Sequence, residues 1–168
     1  PAAKTITIGS DSNVISYYYQ KNSFDLTVDP NGGTWRGNST PTTISIANGS
    51  SEVIADPIAP VGSSVKLYYH DDEEKVVTQE VRKQFSHWTK TGGGTFDTNT
   101  KKFTSGNGDA NLSANYIGGT ITLPRLEREH YTFVGWDMNP DLDPDVENPD
   151  YLPGQTIPVN SDMELHAN

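Results

Sequence analysis

The densest concentration of chemically capable side chains is the stretch Asp137-Met-Asn139-Pro-Asp141-Leu-Asp143-Pro-Asp145-Val-Glu147-Asn-Pro-Asp150. Oxygens at every second position suit a hard cation, because calcium is held by six to eight oxygen ligands. The glycine that gives a standard calcium loop its sharp turn is missing, however, and the prolines at 140, 144 and 149 resist wrapping. The stretch therefore reads as a solvated acidic loop, and no metal site or cofactor is expected. His70-Asp-Asp-Glu-Glu74 reads in the same way. The histidines at 70, 87, 130 and 166 show no ligand spacing such as His-Glu-x-x-His.

Catalytic signatures lack their required context. No nucleophile elbow frames a serine, and Gly92-Gly-Gly94 leads into no helix that would cradle a phosphate. Paired carboxylates for glycoside hydrolysis depend on a separation in space that spacing does not give. A lysine–asparagine cross-link has its residue types here and no sequence signature. The expectation is a chain that is not an enzyme. Aromatic residues are the other candidates. Trp35, Trp88 and Trp136 read as anchors of thin cores. Tyr17 to Tyr19 and Tyr68-Tyr69 sit in apparent strands, where alternate members face outward, and are the better candidates for a binding face.

The elements that must position these residues are strands. Lys4 to Tyr19 alternates as a hairpin, and Phe24-Asp-Leu26-Thr-Val28 alternates before the turn-rich Asp29-Pro-Asn-Gly-Gly33, with a return strand expected from Thr34-Trp35. Ile44 to Ile46, Val53-Ile54 and Val65 to Tyr69 are further strands, and the prolines at 57 and 60 break the chain between them. Val77, Val81 and Phe85 fit a helix face or a strand face; their β-branched character and the turn before them favour a hairpin. Strands are also expected from Thr95 to Thr104, Ala110 to Tyr116, Ile121 to Leu123, Tyr131 to Trp136 and around Leu165, with room for one helical turn from Leu126 to His130. The class is mainly β, with a β-rich α+β fold as the alternative.

Two of these strands recur. Phe133-Val-Gly-Trp136 echoes Phe85-Ser-His-Trp88, and Asp162-Met-Glu-Leu165-His-Ala167 echoes Asp109-Ala-Asn-Leu112-Ser-Ala114. Self-similarity of this kind marks an array of one structural unit. The expected organisation is a tail strand or linker over 1–22, a first β-rich module over 23–116 and a second, shorter one over 117–168.

Charge narrows the partners. With 22 acidic and 12 basic side chains, the net charge of −10 repels nucleic acid and anionic membrane surfaces. No stretch approaches the roughly 20 apolar residues that span a bilayer. Cysteine is absent, which excludes disulfide scaffolds and thiolate metal sites. Only 33% of residues are hydrophobic, which suits small modules with exposed surfaces. The sequons at Asn38, Asn48 and Asn111 are those expected by chance in so polar a chain. An opening proline reads as the start of a fragment whose targeting segments lie elsewhere.

Ile121-Thr-Leu-Pro124, a charged spacer, Tyr131-Thr-Phe133-x-Gly135-Trp136 and then Asp162-x-x-Leu165-x-Ala167 together resemble the Listeria-Bacteroides repeat, the group that includes internalin B-repeats. Phe24 to Gly33 is similar to the opening strand and turn of those repeats, and Asn13 to Tyr19 to the closing strand of mucin-binding-type modules. The resemblance covers the two ends of the chain and leaves residues 34–84 largely aside. His130 stands where the family usually has glycine. What it implies is a tandem, β-grasp-like module of a secreted, cell-wall-attached protein of Gram-positive bacteria. Its implied role is that of an adhesin segment, acting as stalk, spacer or protein-interaction module, with a host surface protein or glycan as partner. Mucin-glycan binding through exposed aromatic residues is the alternative.

Overall fold

The computed structural model describes Gly9 and residues 16–69, 75–139 and 148–167. Its strands are β1 (Ser23–Asp29), β2 (Thr42–Ala47), β3 (Ser51–Val53), β4 (Val61–Tyr68), β5 (Val76–Arg82), β6 (Gln84–Gly92) and β7 (Thr95–Asp97). There follow β8 (Lys102–Thr104), β9 (Ala110–Ile117), β10 (Gly119–Thr122), β11 (Trp136–Asp137), β12 (Thr156–Val159) and β13 (Met163–Ala167). No helix occurs among the described residues, so the fold is all-β. Leu126 to His130, where the sequence left room for a helical turn, takes no helix, and Arg128 forms an isolated bridge with Tyr131.

Alternation places the side chains as the sequence implies. In β1, Leu26 and Val28 are fully buried while Asp25 between its neighbours is exposed. Val76 to Arg82, ambiguous between helix and strand, is a strand paired antiparallel with β4, and Val81 is its buried anchor. The turn after β1 closes through the Gly33 N–H, which donates to the Pro30 carbonyl at 2.9 Å, with Asn31 and Gly32 at positive φ. The return strand, however, is β2 and not Thr34-Trp35. Trp35 is instead pinned to Asn38 by a pair of backbone hydrogen bonds, and its ring enters the core.

Two four-stranded sheets share one plan. The first has the order β2-β1-β9-β6 and the second β5-β4-β13-β11. In each, an antiparallel hairpin sits beside a closing strand that runs parallel to its first strand, and a strand carrying a tryptophan flanks the closer antiparallel. The recurring motifs fall on equivalent places: Trp88 lies opposite Ala114, and Trp136 opposite Ala167. Asp109 accepts the Asp25 N–H at 2.8 Å just before β9, and Asp162 accepts the Ser64 N–H at 2.7 Å just before β13. Each sheet has a smaller companion, β3-β8-β7 for the first and β10-β12 for the second.

The cores divide the chain differently from the expected boundary at 116/117. Leu26, Val28, Trp35, Trp88, Phe103 and Leu112 form one core. Val65, Leu67 and Val81 instead join Leu123, Trp136 and Leu165 in the other. The hairpin β4-β5, expected in the first module, therefore belongs to the second unit. The physical reason is burial: each fully buried Val or Leu contributes roughly 1.5–3 kcal/mol, and the apolar face of β4 finds its complement on β13, with Leu67 beside Leu165. The chain consequently passes between the units at 58–61, 82–84 and 117–119. These passages touch one another. The Lys83 N–H donates to the Pro60 carbonyl at 2.9 Å, the Arg82 guanidinium donates to the Ala59 carbonyl at 2.8 Å, and Gly119 packs so closely on the Arg82 carbonyl that a Cβ would collide with it.

Candidate functional site

The residues expected to form a binding face do not converge. Tyr17, Tyr18 and Tyr19 belong to no strand and are 75%, 94% and 91% exposed, and the rest of the hairpin expected from Lys4, apart from Gly9, lies outside the described residues up to residue 15. Tyr68 is stacked flat on His166 at 4.5 Å, across the parallel β4–β13 pair. Tyr69 turns inward, edge-on to Trp136 at 5.7 Å, with the Lys75 ammonium 5.3 Å from its ring. Its ring serves the core.

The groove lies instead along the connection from β10 to β11. Pro124 ends β10, and its carbonyl accepts the indole N–H of Trp136 at 3.0 Å, which fixes the start of the connection to the core. Tyr131 to Gly135, expected as strand, forms no ladder, and only Trp136-Asp137 pairs with β13. This segment outside any ladder borders an open groove of about 560 Å³, bounded by Arg125, Glu127, Arg128, Tyr131, Phe133 and Pro153. A narrower one of about 150 Å³ beside it is lined by Tyr69, Leu126, Phe133 and Ala167 together with Arg128 and Tyr131. The Arg128 guanidinium lies 4.3 Å above the Tyr131 ring, and Tyr131 is 66% exposed. Between them His130 takes φ +67°, a left-handed conformation that favours glycine. Such a surface offers an aromatic face, a cation and two glutamates (Glu127, Glu129), groups able to contact a polar ligand.

The first unit has a counterpart groove of about 230 Å³ against Phe85, Trp88 and Phe96, edged by Asp56, His87 and Lys101. Trp88 is buried, and its indole N–H has no hydrogen-bond partner among the described residues. Trp35 and Trp136 by contrast donate to the carbonyls of Ala55 and Pro124.

No family model, no curated protein and no solved structure matches the chain.

The charged residues serve the strands. Arg36–Glu52, Lys66–Glu164 and Lys101–Asp56 are ion pairs at the surface. Hydrogen bonding to Lys66 holds the Glu164 carboxyl below its usual range, and Glu164 in turn raises Lys66. Asp97 is lowered by hydrogen bonds from the Thr100 side chain and then the Asn99 N–H, within its own turn. Burial, and then the nearby Asp29 carboxylate, raises the Tyr116 phenol, which donates to the Pro30 carbonyl at 2.5 Å.

Of the acidic stretch, residues 140–147 lie outside the described residues, as do His70 to Glu74. Its two ends tie to each other: Asp137, buried, accepts the Asp150 N–H at 2.9 Å, and Asp150 accepts the Met138 N–H at 2.9 Å. Among the described residues no cluster of three or more metal-ligating side chains forms. His87 and His130 are exposed, and His166 is the ring beneath Tyr68. The groove of Arg128 and Tyr131 escaped the sequence reading because alternation was read through Tyr131 to Trp136. The signal was the proline stop at 124 followed by the charged run Arg125-Leu-Glu-Arg-Glu129.

Proposed function

We propose that the chain is a non-catalytic repeat segment of a bacterial cell-surface adhesin, acting as a stalk, spacer or protein-interaction module. The observation that carries this reading is the duplicated frame, in which the Phe-x-x-Trp and Asp-x-x-Leu-x-Ala motifs hold equivalent places in two sheets of the same order. A plan used twice, with its tryptophans engaged in packing and charged pairs such as Lys66–Glu164 tying its strands, is what a building block requires. The resemblance of the same motifs to Listeria-Bacteroides and internalin B-repeats supports placing that block outside the cell, on a wall-attached protein of a Gram-positive bacterium. Antibodies raised against the purified chain label intact, unpermeabilised source cells if this is right. Labelling that appears only after permeabilisation overturns it.

A second reading rests on the exposed Tyr131 under Arg128 at the edge of the open groove. An aromatic face of this kind stacks on sugar rings, so the alternative is a glycan-binding module for host or mucin glycans. A glycan-array screen with and without calcium separates the two. Binding abolished by Tyr131→Ala favours the lectin-like role, and calcium dependence would implicate the acidic loop. A blank array favours the spacer.

A further inference from the structure

The direction of the strands carries a mechanical consequence. The N-terminal end of β1 is the entry to the first unit, and the four-pair ladder from Leu26–Ala110 to Asp29–Ser113 runs parallel to β9, which leaves directly through Gly118 into β10. In the second unit β4 enters from Pro60, and its ladder from Val65–Met163 to Tyr68–His166 runs parallel to β13, the last strand of the described chain. All three passages between the units gather at one place. Ile58 is bridged to Thr34 just past the end of β1, and Val61 pairs with Arg82 at the start of β4. Gln84 pairs with Ile117 where β6 begins and β9 ends, and Gly119 lies on the Arg82 carbonyl. The start of β1 and the end of β13 are thus the ends of their ladders remote from this junction.

We propose that the chain bears tension, and that its resistance lies in two parallel ladders, β1 against β9 and β4 against β13, loaded in shear when the chain is pulled by its ends. Pulling β1 backward while β9 is drawn forward slides one strand along the other, so every rung is strained together. Adjacent ends of an antiparallel pair, pulled apart, open one rung at a time. Forced unfolding follows the barrier rather than the equilibrium stability, and a barrier that needs all rungs to fail at once is the higher one. Each ladder also has a side-chain rung at its start. Asp109 holds the Asp25 N–H, while Asp162 holds both the Ser64 N–H and its hydroxyl, the latter at 3.2 Å. The motif aspartates are locks in this sense, and Lys66–Glu164 adds an ion pair across the second ladder at 2.7 Å.

This deepens the spacer reading and rests on it for its biological meaning, yet the two fail separately. A weak ladder leaves a spacer that carries no load, whereas a chain found away from the cell surface leaves the mechanical result standing. The chain has no cysteine, so introduced cysteines define the pulling points in single-molecule force spectroscopy. Pulling the full chain by its ends should require several-fold more force than pulling Ser23→Cys against Ala47→Cys, register partners in the antiparallel β1–β2 pair, at the same loading rate. Asp109→Ala and Asp162→Ala should lower the end-to-end force and leave the Ser23–Ala47 force unchanged, and Asp→Asn, which keeps the accepting oxygen, should restore it. Equal forces in the two geometries overturn the proposal. Alanine variants that pull like the parent overturn the role of the aspartates.

Discussion

The two units use one four-stranded frame and finish it differently. Trp136 in the second unit is fully buried and bonded to Pro124, while Trp88 in the first is buried with its indole N–H unpartnered. Two residues past Ala114, Tyr116 lays its ring against Phe85 and reaches the Pro30 carbonyl. Beside Ala167, the corresponding face of Phe133 and Tyr69 borders the narrow groove. The companion sheets differ as well, three strands in one and two in the other. What repeats is the set of contacts that fixes strand order and register: the Trp opposite Ala, the aspartate before the closer and the buried leucine within it. What varies is the covering of the frame.

The largest test of this equivalence is to remove the anchors. Trp88→Ala and Trp136→Ala should each cost about 3–5 kcal/mol in urea unfolding, since each removes a buried tryptophan from its core. Phenylalanine sharpens the comparison. Trp136→Phe strands the Pro124 carbonyl, whereas Trp88→Phe removes an N–H that had no partner, so the first should cost about 1 kcal/mol more than the second. Equal costs would mean that the two indoles are held alike.

The junction comes next in size. Gly119→Ala forces a methyl into the Arg82 carbonyl and should destabilise by about 1–3 kcal/mol. Because the chain crosses three times between the cores, calorimetry should show both units melting in one transition, in the parent and in the variant. Two separated transitions would show that the interleaving does not couple them.

Smaller still is the pair of aspartates. Asp162→Ala should lower stability by about 1 kcal/mol, and Asp109→Ala by less, because Asp162 accepts two hydrogen bonds and Asp109 one. The reverse order in thermal melts would break the parallel between the closers.

Titration gives the smallest effects, and their signs are fixed. Glu164 in the second unit and Asp97 in the first are both lowered, so the stability they contribute is complete above the usual carboxylate range and is lost as pH falls through their folded values. Glu164→Gln and Asp97→Asn should each flatten part of the acid decline in melting temperature. Tyr116 is raised, so its contribution is present below the usual tyrosine range and is lost as pH rises through its folded value, a loss that Tyr116→Phe should remove.

Local patterns were legible in the sequence wherever the signal was itself local. Alternation in Phe24 to Val28 gave β1, the β-branched Val77 and Val81 favoured the strand that is β5, though Phe85, read with them, lies in β6, and the Pro-Asn-Gly-Gly run gave the turn at Pro30 to Gly33. Two elements misled. Tyr17 to Tyr19 and Tyr131 to Val134 have strand composition but no partner ladder, and an extended segment becomes a strand only when another edge supplies its hydrogen bonds. Tyr131 to Phe133 then became a wall of the candidate groove, and of the tyrosines that the sequence pointed to, 17–19 and 68–69, Tyr69 borders the narrower groove beside it.

By itself the sequence determined a mainly β class, the absence of disulfides and the repeated motifs with their tryptophan anchors. These follow from residue chemistry acting over a few positions. The tertiary structure alone decided that the hairpin of β4 and β5, placed by sequence inside the first unit, belongs to the second. Strand pairing joins residues 98 positions apart, as in Lys66 with Glu164, and nothing in the intervening chain records which free edge an apolar face will meet. Closest packing of the two cores settles that choice, since the face of Val65 and Leu67 is buried only against β13 and its neighbours.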